Sequence, residues 1–167
     1  MITQEQIDAH AAWLRKAPGG IRLDLTGADL RGLDLARANL SRVDLTDANL
    51  TGANLYRVNL SRADLSGADL SGANLFEADL SGCILAQADL RDANLRNAFL
   101  NSANLAGAIG AIDAGSDPRG YRFVGVRHSD GWRIAAYQQW QTMAEARERW
   151  RYNRDALARL DVIEANT

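Results

Sequence analysis

The chain has one cysteine, two prolines, two histidines and only 7% aromatic residues in a length of 167. A single cysteine excludes an intramolecular disulfide framework and a multi-cysteine zinc site. Apolar runs are a few residues long, far short of the roughly 20 needed to cross a bilayer as a helix. Charge of one sign is also lacking: 19 Lys+Arg against 21 Asp+Glu leave a net charge of −2. That balance excludes binding to nucleic acid by bulk positive charge. The opening segment MITQEQIDAH has neither the basic nor the apolar region of a secretory signal, so a cytoplasmic protein is expected. Reactive side chains do not cluster. His10 and His128 fall in different segments and in no motif, and no phosphate loop, nucleophile elbow or HExxH occurs. No enzyme, metal or cofactor is expected. What the chain does hold is 47% apolar residues, enough for a core.

Those apolar residues recur with period five. From Leu25 to Leu105 every fifth residue is leucine, at 17 of 17 positions. The residue two before each is small or apolar, and alanine fills 12 of these places. The residue just before is Asp in 8 cases and Asn in 7, with Ile84 and Phe99 as the exceptions. Period five suits no regular element. On a helix the leucines would spread all round, because five steps turn a side chain about 140° past a full revolution. On a straight strand successive leucines would point to opposite faces. A chain that buries all of them must change direction once per repeat. Alternation within the repeat turns alanine and leucine inward and Asp/Asn outward, with the fifth position as the corner. That position is Gly at 27, 32, 52, 67, 72, 82 and 107, which suits a turn. Asp or Asn beside the corner can bond nearby backbone. Cys83 falls at an inward position, where burial is expected.

The A-(D/N)-L-x-x unit resembles the pentapeptide-repeat family. The resemblance implies four repeats per coil: an all-β solenoid, a right-handed quadrilateral β-helix of 20 residues per coil, over residues 21–110. An N-terminal capping helix is expected within 1–20. Thr3 stands in capping-box spacing with Gln6, Ile7, Ala11 and Leu14 share a face, and Pro18-Gly19-Gly20 ends the helix. Residues 111–167 read as a small α+β module. It comprises a linker over 111–119, a hairpin turning at Asp130-Gly131, a helix opened by Thr142 and Glu145, and a helical segment over 153–165. This tail is similar to the hairpin-plus-helix modules of phage and prophage members of the family. Ile84 and Phe99 interrupt the outward Asp/Asn positions near one end, and the spacing predicts that the module covers them.

Unrolling four walls groups the outward side chains. Asp24, Asp44 and Asp64 share a first wall, and Asp29, Asp69 and Asp89 a second. Tyr56, Phe76 and Arg96 fall on a third. Arg37, Arg42, Arg57 and Arg62 form a basic patch on the third and fourth. The family resemblance implies a non-enzymatic protein-binding module. Its acidic walls would imitate DNA and occupy the nucleic-acid cleft of a host DNA-handling complex, such as gyrase or an anti-phage defence effector of the CRISPR type. In that reading the protein is a phage or mobile-element inhibitor. The alternative is a structural or scaffold protein, part of a virion or complex, that contacts its partner through Tyr56 and Phe76. In either case the partner is a protein, with no direct nucleic-acid binding and no membrane. An apolar helix face over 143–163 offers a surface for pairing two chains as a homodimer.

Overall fold

A computed structural model describes residues 2–116, 118, 122–129, 131–136 and 139–166, without the side chains of 139 and 140. Asp/Asn positions twenty residues apart form parallel bridges. Asp24, Asp44, Asp64 and Ile84 follow one another on the first wall, Asp29, Asn49, Asp69 and Asp89 on the second. The third wall carries Asp34, Asn54, Asn74 and Asn94, and the fourth Asn39, Asn59, Asp79 and Phe99. Each coil is therefore 20 residues and four repeats, a quadrilateral β-helix. Leucine N–H groups tie one coil to the next, as Leu45 donates to the Asp64 carbonyl at 2.8 Å and Leu50 to the Asp69 carbonyl at 2.7 Å. From Leu40 to Leu90 the leucine column is wholly buried. Each such side chain contributes about 2 kcal/mol before conformational entropy is subtracted.

The corner takes two residues rather than the one expected from alternation. Each is closed by a backbone bond of the form Ala48 N–H to Leu45 carbonyl, 3.0 Å. The second turn residue is left-handed at every corner from 27 to 107. Where it is not glycine, φ still lies between 54° and 62°. A left-handed L-residue costs about 1–2 kcal/mol, so something must hold these corners shut. All fifteen Asp and Asn residues that precede a leucine do so: each accepts, on Oδ1, the N–H of the first turn residue. Thr26 N–H donates to Asp24 at 3.0 Å and Ser71 N–H to Asp69 at 2.9 Å, and the same bond recurs through to Ala106 and Asn104. On the third wall the side chains also join along the rod. Asn54 Nδ2 donates to Asp34 at 2.9 Å, Asn74 to Asn54 at 3.1 Å and Asn94 to Asn74 at 3.2 Å.

Both ends of the solenoid are closed. Helix α1 (Gln4–Leu14) is capped by Thr3 and Gln6 in a reciprocal capping box. Its His10 is fully buried: Nδ1 accepts the Leu23 N–H at 3.0 Å, and Nε2 donates to the Ser41 carbonyl at 2.9 Å. The other end is closed by a four-stranded antiparallel sheet of β1 (Ala111–Ser116), β2 (Arg122–His128), β3 (Gly131–Ala136) and β4 (Gln139–Thr142), in that order. Helices α2 (Met143–Arg149) and α3 (Arg154–Ala165) follow. Strand β2 shows why the sheet fits. Its alternate residues face the last coil: Val124 and Val126 join the leucine core, Arg122 Nη1 donates to the Leu100 carbonyl at 2.7 Å, and His128 Nε2 lies 3.0 Å from the Ala93 carbonyl. The intervening Phe123 packs with Ile134, Ala146, Trp150, Leu160 and Ile163 beneath the helices. Gly125 lies so close to Ile163 that an added Cβ would stand 2.5 Å from its Cγ2.

Three expectations are corrected. The segment 111–119 holds a strand rather than a linker. Its Asp113 accepts the Gly115 N–H and binds Arg122, and left-handed Gly115 lets the edge bulge. The sheet docks on the end of the rod and not over Ile84 and Phe99, which stay 41% and 40% exposed. The apolar face of 143–163 is consumed within the chain, since Ala146, Trp150, Ala156, Leu160 and Ile163 are buried against the sheet. Of the expected hairpin turn, Asp130 lies outside the described residues, while β2 and β3 pair down to His128 and Gly131.

The asparagine ladder yields a differential prediction. Asn74→Asp removes the donor to Asn54 and sets two oxygens face to face, so it should cost about 1–3 kcal/mol. Asn104→Asp keeps the corner bond and its neighbour on the wall is Ile84, so its cost should be well under half of that. Urea unfolding of the two variants beside the parent measures the difference.

Candidate functional site

The residues proposed as a contact surface meet at one corner. Tyr56 and Phe76 are the first turn residues of successive coils between the third and fourth walls, so they stand on an edge rather than on a flat wall. Their rings stack, 5.8 Å between centroids and 21° between planes. Arginines close round them. The guanidinium carbons of Arg57 and Arg37 lie 5.1 and 5.7 Å from the Tyr56 centroid, and that of Arg96 lies 5.7 Å from the Phe76 centroid. Glu77 pairs with Arg57 and holds it in place. The result is an aromatic–arginine ridge about three coils long, in which the quadrupole of each ring faces cations. The sequence already sets Arg37, Arg57 and Glu77 at the corner of the wall that carries Tyr56 and Phe76. Their spacing of twenty residues along one corner, Arg37, Arg57 and Glu77, is the signal that joins them.

The basic patch divides. Arg37 and Arg57 belong to this ridge. Arg42 and Arg62 lie at the next corner, on the far side of the fourth wall, both exposed. The four arginines thus frame the fourth wall instead of lying on it.

The acidic walls also differ from one another. On the second wall, Arg31 grips Asp29 through Nε at 2.8 Å and Nη2 at 2.7 Å, and Arg91 grips Asp89 in the same way. An arginine two residues on reaches back across the corner, so this wall is not a bare row of carboxylates. The Arg31 bond draws the Asp29 carboxyl down to about 2. Between them Asp69 accepts from Ser71 N–H and Oγ, at 2.9 and 2.6 Å. On the first wall the carboxylates of Asp24, Asp44 and Asp64 lie in register, and among the described residues none has a cation within ion-pair distance. Bonds from Thr26 and Thr46 hold Asp24 and Asp44 below the usual carboxylate range.

Cys83 is buried, donates to the Leu60 carbonyl at 2.8 Å, and its thiol is pushed up to about 12 by burial. Among the described residues no His, Cys, Asp and Glu side chains gather into a metal-binding group. No described helix is long and apolar enough to cross a membrane.

The sequence profile described as pentapeptide repeats matches this chain in 8 copies, over residues 24–62, 38–75 and 73–109. These stretches run from 24 to 109, just over half of the chain. Among solved structures, the chain is similar to a pentapeptide repeat protein (Rfr23) from the cyanobacterium Cyanothece 51142. Identity is 41% over 52% of this chain and 58% of that one, with a TM-score of 0.51. A pentapeptide repeat protein from the Arabidopsis thaliana thylakoid lumen is 31% identical over 57% of this chain and 68% of that one, TM-score 0.40. One from Nostoc Pcc 7120 is 35% identical over 62% and 71%, TM-score 0.35. The chain thus spans less than two thirds of the length of the cyanobacterial Rfr23 protein. No curated protein matches it.

The lowered carboxylates set a pH window. Asp24, Asp29, Asp44, Asp69, Asp89 and Asp113 are all drawn below the ordinary value. Their contribution to stability is complete above the unfolded-state value near 4 and is lost as pH falls through the folded-state values. The melting temperature should be level from pH 7 to about 5 and should fall between about pH 4 and 2, read by circular dichroism.

Proposed function

The chain belongs to the pentapeptide-repeat family, and from that premise we propose that it is a non-enzymatic protein-binding module whose contact surface is the Tyr56–Phe76 ridge. The observation that carries this reading is the stacked pair on an outer edge, flanked by Arg37, Arg57 and Arg96. Tyrosine and arginine are the side chains most enriched among residues that dominate binding energy. Here they are fixed by stacking and by Glu77 before any partner arrives, which lowers the entropy lost on binding. The backbone beneath them is a rigid coil, so the surface presents one shape. This reading supports a scaffold or complex component.

A second reading has its own observation in favour. The column Asp24, Asp44 and Asp64 presents carboxylates at the coil spacing of about 4.8 Å, with no cation paired to them among the described residues. Such a column supports imitation of a nucleic-acid backbone, with a host DNA-handling complex, gyrase or a defence effector, as the partner of a phage or mobile-element inhibitor. The two readings divide on salt and on the variants that break them. Capture of partners from host lysate on immobilised protein tests them together. The ridge reading predicts retention that survives 0.5 M salt and drops at least about tenfold in Tyr56→Ala/Phe76→Ala. Mimicry predicts retention that collapses with salt, is competed by duplex DNA and is lost in Asp24→Asn/Asp44→Asn/Asp64→Asn. Asparagine keeps the corner bond, so this second variant folds.

A further inference from the structure

At the corner between the fourth and first walls, an arginine recurs two residues before each first-wall aspartate: Arg22 and Asp24, Arg42 and Asp44, Arg62 and Asp64. The aspartates bridge in sequence, so the three pairs stack on successive coils. Two parallel columns result, one of arginine and one of aspartate. Among the described residues no ion pair joins them. Each aspartate turns its Oδ1 forward to the next corner, onto Thr26, Thr46 and Ser66. Arg22 Nε donates to the Arg42 carbonyl, and the Arg62 stem runs over Gly82. One coil further on, the pair becomes Gly82 and Ile84, and then Ser102 and Asn104.

Read by column, the corner runs Arg, Arg, Arg, Gly, Ser, and the wall beside it runs Asp, Asp, Asp, Ile, Asn. Every level is complementary to itself. A two-fold axis laid along the rod, between the columns, sets each copy's arginine column against the other's aspartate column at equal height. Arg22 then meets Asp24, Arg42 meets Asp44 and Arg62 meets Asp64, each pair made twice. At the next level Ile84, 41% exposed, comes down on bare Gly82. The notch there is lined by the Arg62 stem, whose Cγ lies 3.5 Å from where a Cβ at Gly82 would stand. Ser102 and Asn104 can exchange a hydrogen bond above it. An axis across the rod fails, because it sets arginine against arginine.

We propose that this face binds a second copy of the chain, giving a parallel, side-by-side dimer. The pattern also accounts for Ile84, which breaks the Asp/Asn rule and is left uncovered within one chain. A duplex nucleic acid is a poor occupant, since its phosphates would reach the aspartate column beside the arginines. The face is five coils tall, about 24 Å, and one wall wide, smaller than the roughly 800 Å² per partner of a standard interface. The dimer is therefore weak and governed by salt. It occupies the same carboxylates that mimicry would use, and it leaves the Tyr56–Phe76 ridge free on the far side of the fourth wall.

Sedimentation equilibrium of the full chain tests this, at about 20 mM and 0.5 M salt, where the Debye length falls from tens of ångströms to a few. A monomer–dimer equilibrium is expected at low salt, weakening at least about tenfold at high salt. Arg42→Glu/Arg62→Glu should abolish the dimer; these corners are exposed, and Glu77 already occupies such a place. Asp44→Asn/Asp64→Asn, which retains the corner bonds, should weaken it by about tenfold or more. Tyr56→Ala/Phe76→Ala and Arg96→Glu should leave it unchanged, which separates this proposal from the ridge reading. A chain that is monomeric at low salt up to several hundred micromolar overturns it. So does a dimer that tolerates both charge variants.

Discussion

Fifteen of the seventeen corners of the coils are closed by a side-chain carbonyl or carboxylate oxygen accepting the backbone N–H two residues ahead, and the two that follow Ile84 and Phe99 keep only the backbone bonds from Ala88 to Leu85 and from Ala103 to Leu100. That bond offsets the cost of the left-handed residue that follows at eight of the ten corners that lack glycine, all but those of Gln87 and Ser102. With it, the chain can bend every five residues. Only a chain bent at that interval turns leucines 25 to 105 into one core and shields them together. The polar and apolar halves of the repeat are thus one device: the outward Asp or Asn makes the bend, and the bend buries the leucine.

This constraint changes how the acidic residues are read. Aspartate and asparagine perform the same task at the position before leucine, so carboxylates on the walls need no further reason to be present. What distinguishes one wall from another is the set of neighbours each carboxylate receives. Arg31 and Arg91 pair with Asp29 and Asp89 on the second wall. Side-chain amides tie the third into a ladder that ends on Asp34. Among the described residues, the first wall alone keeps three aspartates in line with no cation within ion-pair distance. Surface neighbours along the rod stand twenty residues apart in sequence, because the coil brings residues at that spacing together.

Much of this was legible in the sequence. The leucine period required a bend, the Asp/Asn position suggested a turn bond, and the twenty-residue coil followed from family resemblance; all three are present. The grouping of Asp24, Asp44 and Asp64, and of Tyr56 with Phe76, survives in space. The sequence reading gave each bend one residue where the structure uses two, because alternation alone cannot separate a wall from a corner, and Tyr56 moved from one to the other. It also concealed β1, since Asp113 and Gly115 have the composition of a linker and here form a bulged edge strand. The seat of the C-terminal sheet was missed for a similar reason. Ile84 and Phe99 drew attention as apolar breaks, whereas the open end of the leucine column was the larger apolar surface, and Val124 and Val126 cover it.

The claim beneath all of this is that the leucines form one sealed column on which folding depends. Thermal unfolding of Leu65→Asp, followed by far-ultraviolet circular dichroism, tests it most directly. Leu65 is fully buried in the middle of the rod, and a carboxylate there has no partner and no water. The account predicts that the variant loses its β-type signal, or melts tens of degrees below the parent. A variant that melts within a few degrees of the parent would contradict it.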